Sequence, residues 1–336
     1  LLLITHVESG LRADVTVNIV GSNTTRSALF KCVLNALTNE TAAWEGSSLH
    51  SASKACFKGS LAGVSGTTTI NCKLEGSVRG VEDLGWAATS GWISPIYATF
   101  STATSAPYGN GYATGAAPKT SVVPTLAVSD VYQGSTQSVL AVDEIVAAVV
   151  PFKFVANESA PTALVSISEQ LHEATYSIGS QLLSMFTSNS ADSRLVYVVG
   201  RDAGSGTRTI RLAETGYGIT KPVTQWRATC ATGVVSDLRL WPSTVEEASP
   251  PANMVNDPAL QGNGGYVSGD SIATIMGCTS SSVNIRDATN GVLASSQSIV
   301  LLACLGLSDA SQAINSGAKG LSYRGFAYSP PAVREG

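Results

Sequence analysis

The stretch "GRDAGSGTR", residues 200–208, sets two arginines around a Gly/Ser turn, between an apolar β-forming run and a helix-forming one. A turn that opens a helix presents unpaired backbone N–H groups and the positive end of the helix dipole, a combination that attracts anions. Arg201 adds a planar fork matching a tetrahedral oxyanion. Ser205 and Thr207 add hydroxyl donors, and Gly206 offers its backbone N–H. Two further turns share this design: "GSNTTR" (21–26) with Thr25, and "EGSVRG" (75–80) with Ser77. "LAVSDVY" (126–132) puts Asp130 at a strand end. A carboxylate beside an anion is unfavourable unless the anion carries a proton, which Asp130 would then accept. Each feature has a plainer reading: helix N-caps for the serines and threonines, a strand-end cap for Asp130.

Other chemistries find less support. "GYATGAAPKT" imitates a phosphate-binding loop, but Pro118 stands where glycine must precede the lysine, and Lys119 is not part of one. No G-x-S-x-G elbow surrounds Ser205, and none of His6, His50 and His172 lies in a motif that would activate it. No catalytic residue and no enzymatic activity are expected. His172 lies in a helical pattern as a packing or surface histidine. With three histidines and no C-x-x-C, neither a metal site nor a cofactor is expected.

The turns need strands before them and helices after them. "DVTVNIVG" (14–21) alternates like a strand, and "RSALFKCVLNAL" follows with Leu29, Cys32, Val33, Ala36 and Leu37 at helical spacing. Residues 60–76 read as a hairpin, with a helix beginning at Ser77. Residues 85–125 are rich in Gly, Ser, Thr and aromatics and read as a β insertion. "SISEQLHEATYSIGSQLLSMF" reads as one helix, and 216–268 as irregular surface. "VSGDSIATIMG" reads as a helix, and the segment from Ser298 onward returns a buried strand, a short helix and a final strand. Repeated strand–turn–helix units point to an α/β fold.

The chain has 336 residues, 44% apolar and only 13% charged, with a net charge of −4. That composition supports a large core, predicts more than one lobe and argues against nucleic acid as a partner. Six cysteines in a chain of low charge favour disulfides and an extracytoplasmic location; six buried thiols are the alternative. Cys56–Cys72 and Cys230–Cys278 are the expected pairs. Sequons stand at Asn23, Asn39 and Asn157. Residues 1–13 read as a signal remnant or an N-terminal arm. The arm and the 85–125 insertion are the expected surfaces of any homo-oligomer or filament.

"GRDAGSGTR" is similar to the R-x-D-G-S-G-T signature of the phosphate-binding proteins of ABC phosphate transporters. "VNIVGSNTTRSAL", "LEGSVRGVEDL" and "LAVSDVY" resemble that family's other ligand motifs, in the same order. The chain departs from them at Arg26, Arg79 and Ala203. The resemblance implies a two-lobed type II periplasmic-binding-protein fold with a Gly/Ser/Thr-rich β insertion. Lobe one would be 14–148 plus 297–336, and lobe two 149–296. It implies phosphate, or a related oxyanion, held in an interlobe cleft by Thr25, Ser77, Asp130, Arg201, Ser205, Gly206 and Thr207. An ABC transporter permease would be the partner. The rival expectation is a cell-surface or filament subunit built on the same fold.

Overall fold

The computed structural model describes residues 14–46, 48–49, 52–90, 97–98, 110–112, 119–120, 122–136, 143–147, 150–242 and 261–326. The 1–13 arm and most of the 85–125 insertion, the segments expected to assemble, lie outside them. The chain is α/β, and it divides into two compact units, Leu1–Val149 and Val150–Gly336.

In the first unit the order is β1 (Val15–Gly21), α1 (Arg26–Ala36), β2 (Leu37–Glu45), β3 (Lys54–Leu61), β4 (Thr68–Lys73) and α2 (Ser77–Ser90), then the short strands β5 (Tyr97–Ala98), β6 (Asn110–Tyr112), β7 (Lys119–Thr120) and β8 (Leu126–Val128). Six of these strands form a sheet in the order β6-β2-β3-β4-β1-β8. Strands β4, β1 and β8 run parallel, so their carboxyl ends share one edge. α1 buries Phe30 and Val33, with Leu34 and Leu37 completing an i, i+3, i+4, i+7 stripe against Phe57 and Ile70. The expected stripe through Cys32 is displaced, and Cys32 is exposed.

The second unit contains β9 (Phe152–Ala156), β10 (Ser166–Ile167), α3 (Glu169–Ile178), β11 (Ser180–Leu182), α4 (Ser184–Thr187), β12 (Leu195–Val198) and α5 (Gly206–Glu214). There follow β13 (Trp226–Ala231), β14 (Val234–Leu240), α6 (Gly269–Met276), β15 (Val283–Arg286), β16 (Val292–Gln297), β17 (Ile299–Gly306), α7 (Leu307–Asn315), β18 (Lys319–Gly320) and β19 (Ser322–Tyr323). One sheet runs β11-β12-β17-β9-β18 and a second β13-β14-β15-β16. β17 is buried on both faces: Ile299, Leu301, Ala303 and Leu305 enter one core cluster, and Val300, Leu302 and Cys304 the other. That strand is the spine of the second unit.

Several expectations are corrected. Residues 297–336 were expected with the first lobe; β17 instead pairs with β9 and β12 inside the second unit. The single helix expected over 166–186 is broken, because Gly179 adopts a left-handed conformation (φ 82°) that ends α3 and turns the chain into β11. Within the expected irregular stretch 216–268, residues 226–240 form the β13–β14 hairpin. Cys230 and Cys278 are bridged, whereas Cys56 and Cys72 are not. In the β3–β4 register Ala55 opposes Cys72, which sends Cys56 to the other face of the sheet. The Asn157 sequon is closed to a glycan. That side chain is fully buried, donates to Cys278 O and Ser280 Oγ, and accepts from the Leu301 N–H.

Candidate functional site

Three of the predicted residues follow the carboxyl ends of the parallel strands of the first unit. Ser22 and Thr25 follow β1, Ser77 opens α2 after β4, and Asp130 follows β8. From β1 the chain runs through α1 to β2, and from β4 it runs through α2 and on to β6 at the far edge before returning to β8 beside β1. Open α/β sheets bind ligands outside the carboxyl ends of their strands. Close packing brings the turns together. A Cβ on Gly80 of α2 would stand 2.3 Å from the Gly21 Cα, and one on Gly21 would stand 1.9 Å from Val128 O. Only glycine permits α2, the β1 turn and β8 to approach this closely.

Hydrogen bonds then tie the turns to one another. Ser22 donates its N–H to Val128 O (2.7 Å) and its hydroxyl to Asp130 Oδ2 (3.1 Å). The Asp130 N–H donates to Ser77 Oγ (3.3 Å). Thr25 lies beside them, but its hydroxyl donates to Ser22 O (3.2 Å). Thr25, Ser77 and Asp130 are thus brought to one edge, with Ser22 as the hub. Asp130 Oδ1 is buried and accepts no hydrogen bond. Ser22 was missed as a site residue. The available signal was its place directly after Gly21, where the strand ends and its side chain must face the adjoining strand.

The lysines at this edge are committed elsewhere. Lys73 pairs with Glu75 (3.2 Å) and Asp83 (3.6 Å), and Lys54 with Glu75 (3.3 Å) and Glu45 (3.7 Å). Burial acts to raise the Glu75 carboxyl, but Lys73 and Lys54 outweigh it and hold the group below the usual range.

In the second unit, Arg201, Ser205, Gly206 and Thr207 come together at the junction of β12 and α5. Ser205 is the N-cap of α5 yet makes no capping bond, and its Oγ is buried without a partner. Arg201 is only 2% exposed, and its guanidinium donates to the Tyr266 and Val267 carbonyls, clamping the 264–267 segment against Arg201. Arg201 therefore has a structural duty that the sequence did not announce. Arg208 likewise bonds Asn263, while Arg211 lies 3.8 Å from the Tyr176 ring centre with Nε and Nη2 unpartnered. Burial, then the neighbouring Arg211 charge, draws Arg208 down to about 10. Among the described residues of this unit the buried ionised side chains are Arg201, Arg208 and Arg211 against one carboxylate, Asp202. The interior behind the α5 N-terminus is electropositive, which favours an anion there.

His172 is a packing residue, fully buried and stacked 4.3 Å from Tyr176. The two groups of predicted site residues belong to different units, three in the first and four in the second. No protein-family model, curated protein or solved structure matches this chain.

Proposed function

We propose that the chain is an extracytoplasmic binding protein for phosphate, or a related oxyanion that carries a proton, built on a two-lobed type II periplasmic-binding-protein fold. The observation that carries the reading is Asp130. Its carboxylate is held by Ser22, its N–H by Ser77, and its second oxygen is buried with no donor to meet. A buried acceptor left unpaired costs about 1–3 kcal/mol, and a donor arriving from outside would relieve that cost. A protonated oxyanion brings such a donor, and the turns supply N–H and hydroxyl groups for its other oxygens. The electropositive α5 junction, with the idle Ser205 hydroxyl, gives independent support. The Cys230–Cys278 disulfide agrees with an oxidising compartment. An ABC transporter permease is the partner this reading implies.

Equilibrium dialysis with radiolabelled phosphate tests it through Ser205→Ala. Among the described residues the Ser205 hydroxyl bonds nothing, so its removal should leave stability equal or raised. A hydrogen bond to a charged ligand contributes about 1.5–3 kcal/mol, so phosphate affinity should fall roughly 10- to 150-fold. Lost stability with unchanged phosphate affinity would make Ser205 a structural residue and remove the second unit from the proposal.

A further inference from the structure

The second sheet of the second unit carries a feature that phosphate binding at the turns does not use. Its inner face is apolar, with Trp226, Ala228, Leu238, Val283 and Ile285 buried in the core. On its other face three arginines stand in one row across three adjacent strands. Arg227 of β13 opposes Arg239 of β14, and Arg239 is in register with Arg286 of β15. Like charges directly opposite one another on a sheet are destabilising, so the row is a cost to the fold unless an anion compensates it.

Internal compensation is incomplete. Arg286 Nε donates to Asp237 Oδ1 at 2.6 Å. Arg239 donates through Nη2 to Ala288 O, while its Nε is buried with no acceptor. Arg227 is exposed, its guanidinium 5.7 Å from the Trp241 ring centre. The nearby Asp287 accepts from Thr289 and Gly291 within its own turn, and the Arg239 charge adds to what holds its carboxyl low, so it offsets Arg239 in part and leaves Arg227 uncompensated. The row borders a hollow of about 400 Å³ lined by Arg227, Thr229, Asp237, Arg239, Arg286 and Asn290. That volume lies in the range of small-molecule sites, which span about 300–1,000 Å³. Every lining residue is polar, so the hollow suits a hydroxylated ligand and not an apolar one.

We propose that this face binds an anionic sugar. The oxyanion lies between Arg227 and Arg239, and the sugar hydroxyls meet Thr229, Asp237 and Asn290. Guanidinium forks serve phosphate and carboxylate alike, so the shared chemistry is an oxyanion on a monosaccharide-sized, hydroxyl-rich body.

The test is calorimetric titration of the full chain with glucose 6-phosphate, glucuronate and glucose in phosphate-free buffer. The Ser205→Ala chain is titrated alongside, so heat from any phosphate site at the turns falls in that variant while heat from the arginine row does not. Saturable binding of glucose 6-phosphate or glucuronate, with none of glucose, is expected, and the arm that binds identifies the oxyanion. Arg239→Gln and Arg227→Gln should each weaken that binding by about tenfold or more, while Ser205→Ala leaves it unchanged. Arg227 is exposed, so Arg227→Gln should fold with an equal or higher melting midpoint as the row is relieved. Binding of neither anionic sugar, equal binding of glucose, or an affinity untouched by both arginine variants would overturn the proposal. So would a lowered midpoint in Arg227→Gln, because it would make the row structural.

Discussion

Asp130→Asn is the substitution that probes the site most finely. In the wild-type chain Oδ2 accepts from Ser22 Oγ at 3.1 Å, and Oδ1 faces no donor. Asparagine keeps the volume and can leave its carbonyl oxygen on Ser22, which places the NH2 group where Oδ1 stood. Phosphate carries a proton near neutral pH and can donate it to Oδ1; sulfate cannot, and meets the carboxylate acceptor to acceptor. An unpaired buried acceptor costs about 1–3 kcal/mol, so the wild type should prefer phosphate over sulfate by roughly 5- to 150-fold from this contact alone. In Asp130→Asn the amide donates to sulfate, and the preference should shrink by a similar factor. Calorimetric titration of both anions into both proteins measures the ratio, and melting midpoints verify that the variant folds. A ratio unchanged by the substitution would refute the reasoning and return Asp130 to a strand-end cap.

Three further outcomes concern the framework. Burial, reinforced by the Arg211 charge, pushes His172 down to about 2, so the folded state binds no proton there while the unfolded chain binds one below about pH 6.5. Stability from this residue is full above that pH and falls as pH drops; relative to His172→Phe, wild type should lose about 2 kcal/mol between pH 7 and pH 5 in urea titrations, and parallel pH profiles would contradict this. Losing the Cys230–Cys278 bridge, which spans 48 residues, should cost about 4 kcal/mol and lower the melting midpoint by roughly 10 °C in the Cys230→Ser/Cys278→Ser variant; an unchanged midpoint would count against the bridge. Gly80→Ala would drive a methyl to 2.3 Å from the Gly21 Cα, so calorimetry should show a loss of about 1–3 kcal/mol, with phosphate affinity reduced as the Ser22 and Ser77 turns separate.

Local signals in the sequence were reliable where a single element decides its own structure. The alternation of "VTVNIVG" became β1, and Ser77 opens α2 as its turn suggested. Thr25, Ser77 and Asp130 gather because all three follow parallel strands, a topology implied by repeated strand–turn–helix units. What depends on partners distant in sequence was not legible. The register that separates Cys56 from Cys72 arises from β3–β4 pairing, and the membership of β17 from its contacts with β9 and β12. The burial of Arg201 under Tyr266 and Val267 joins segments about 65 residues apart, which no local motif encodes. Gly179 could have been read as a helix stop, but the periodic apolar residues on both sides of it masked the break.

The central claim is that this chain binds a protonated oxyanion through Asp130 and the turns that hold it. Isothermal titration of the intact wild-type protein with inorganic phosphate near neutral pH tests it most directly. The account predicts a saturable exotherm or endotherm with one phosphate site per chain, weakened by Ser205→Ala. No heat beyond dilution with phosphate or arsenate, from protein shown to be folded, would contradict it.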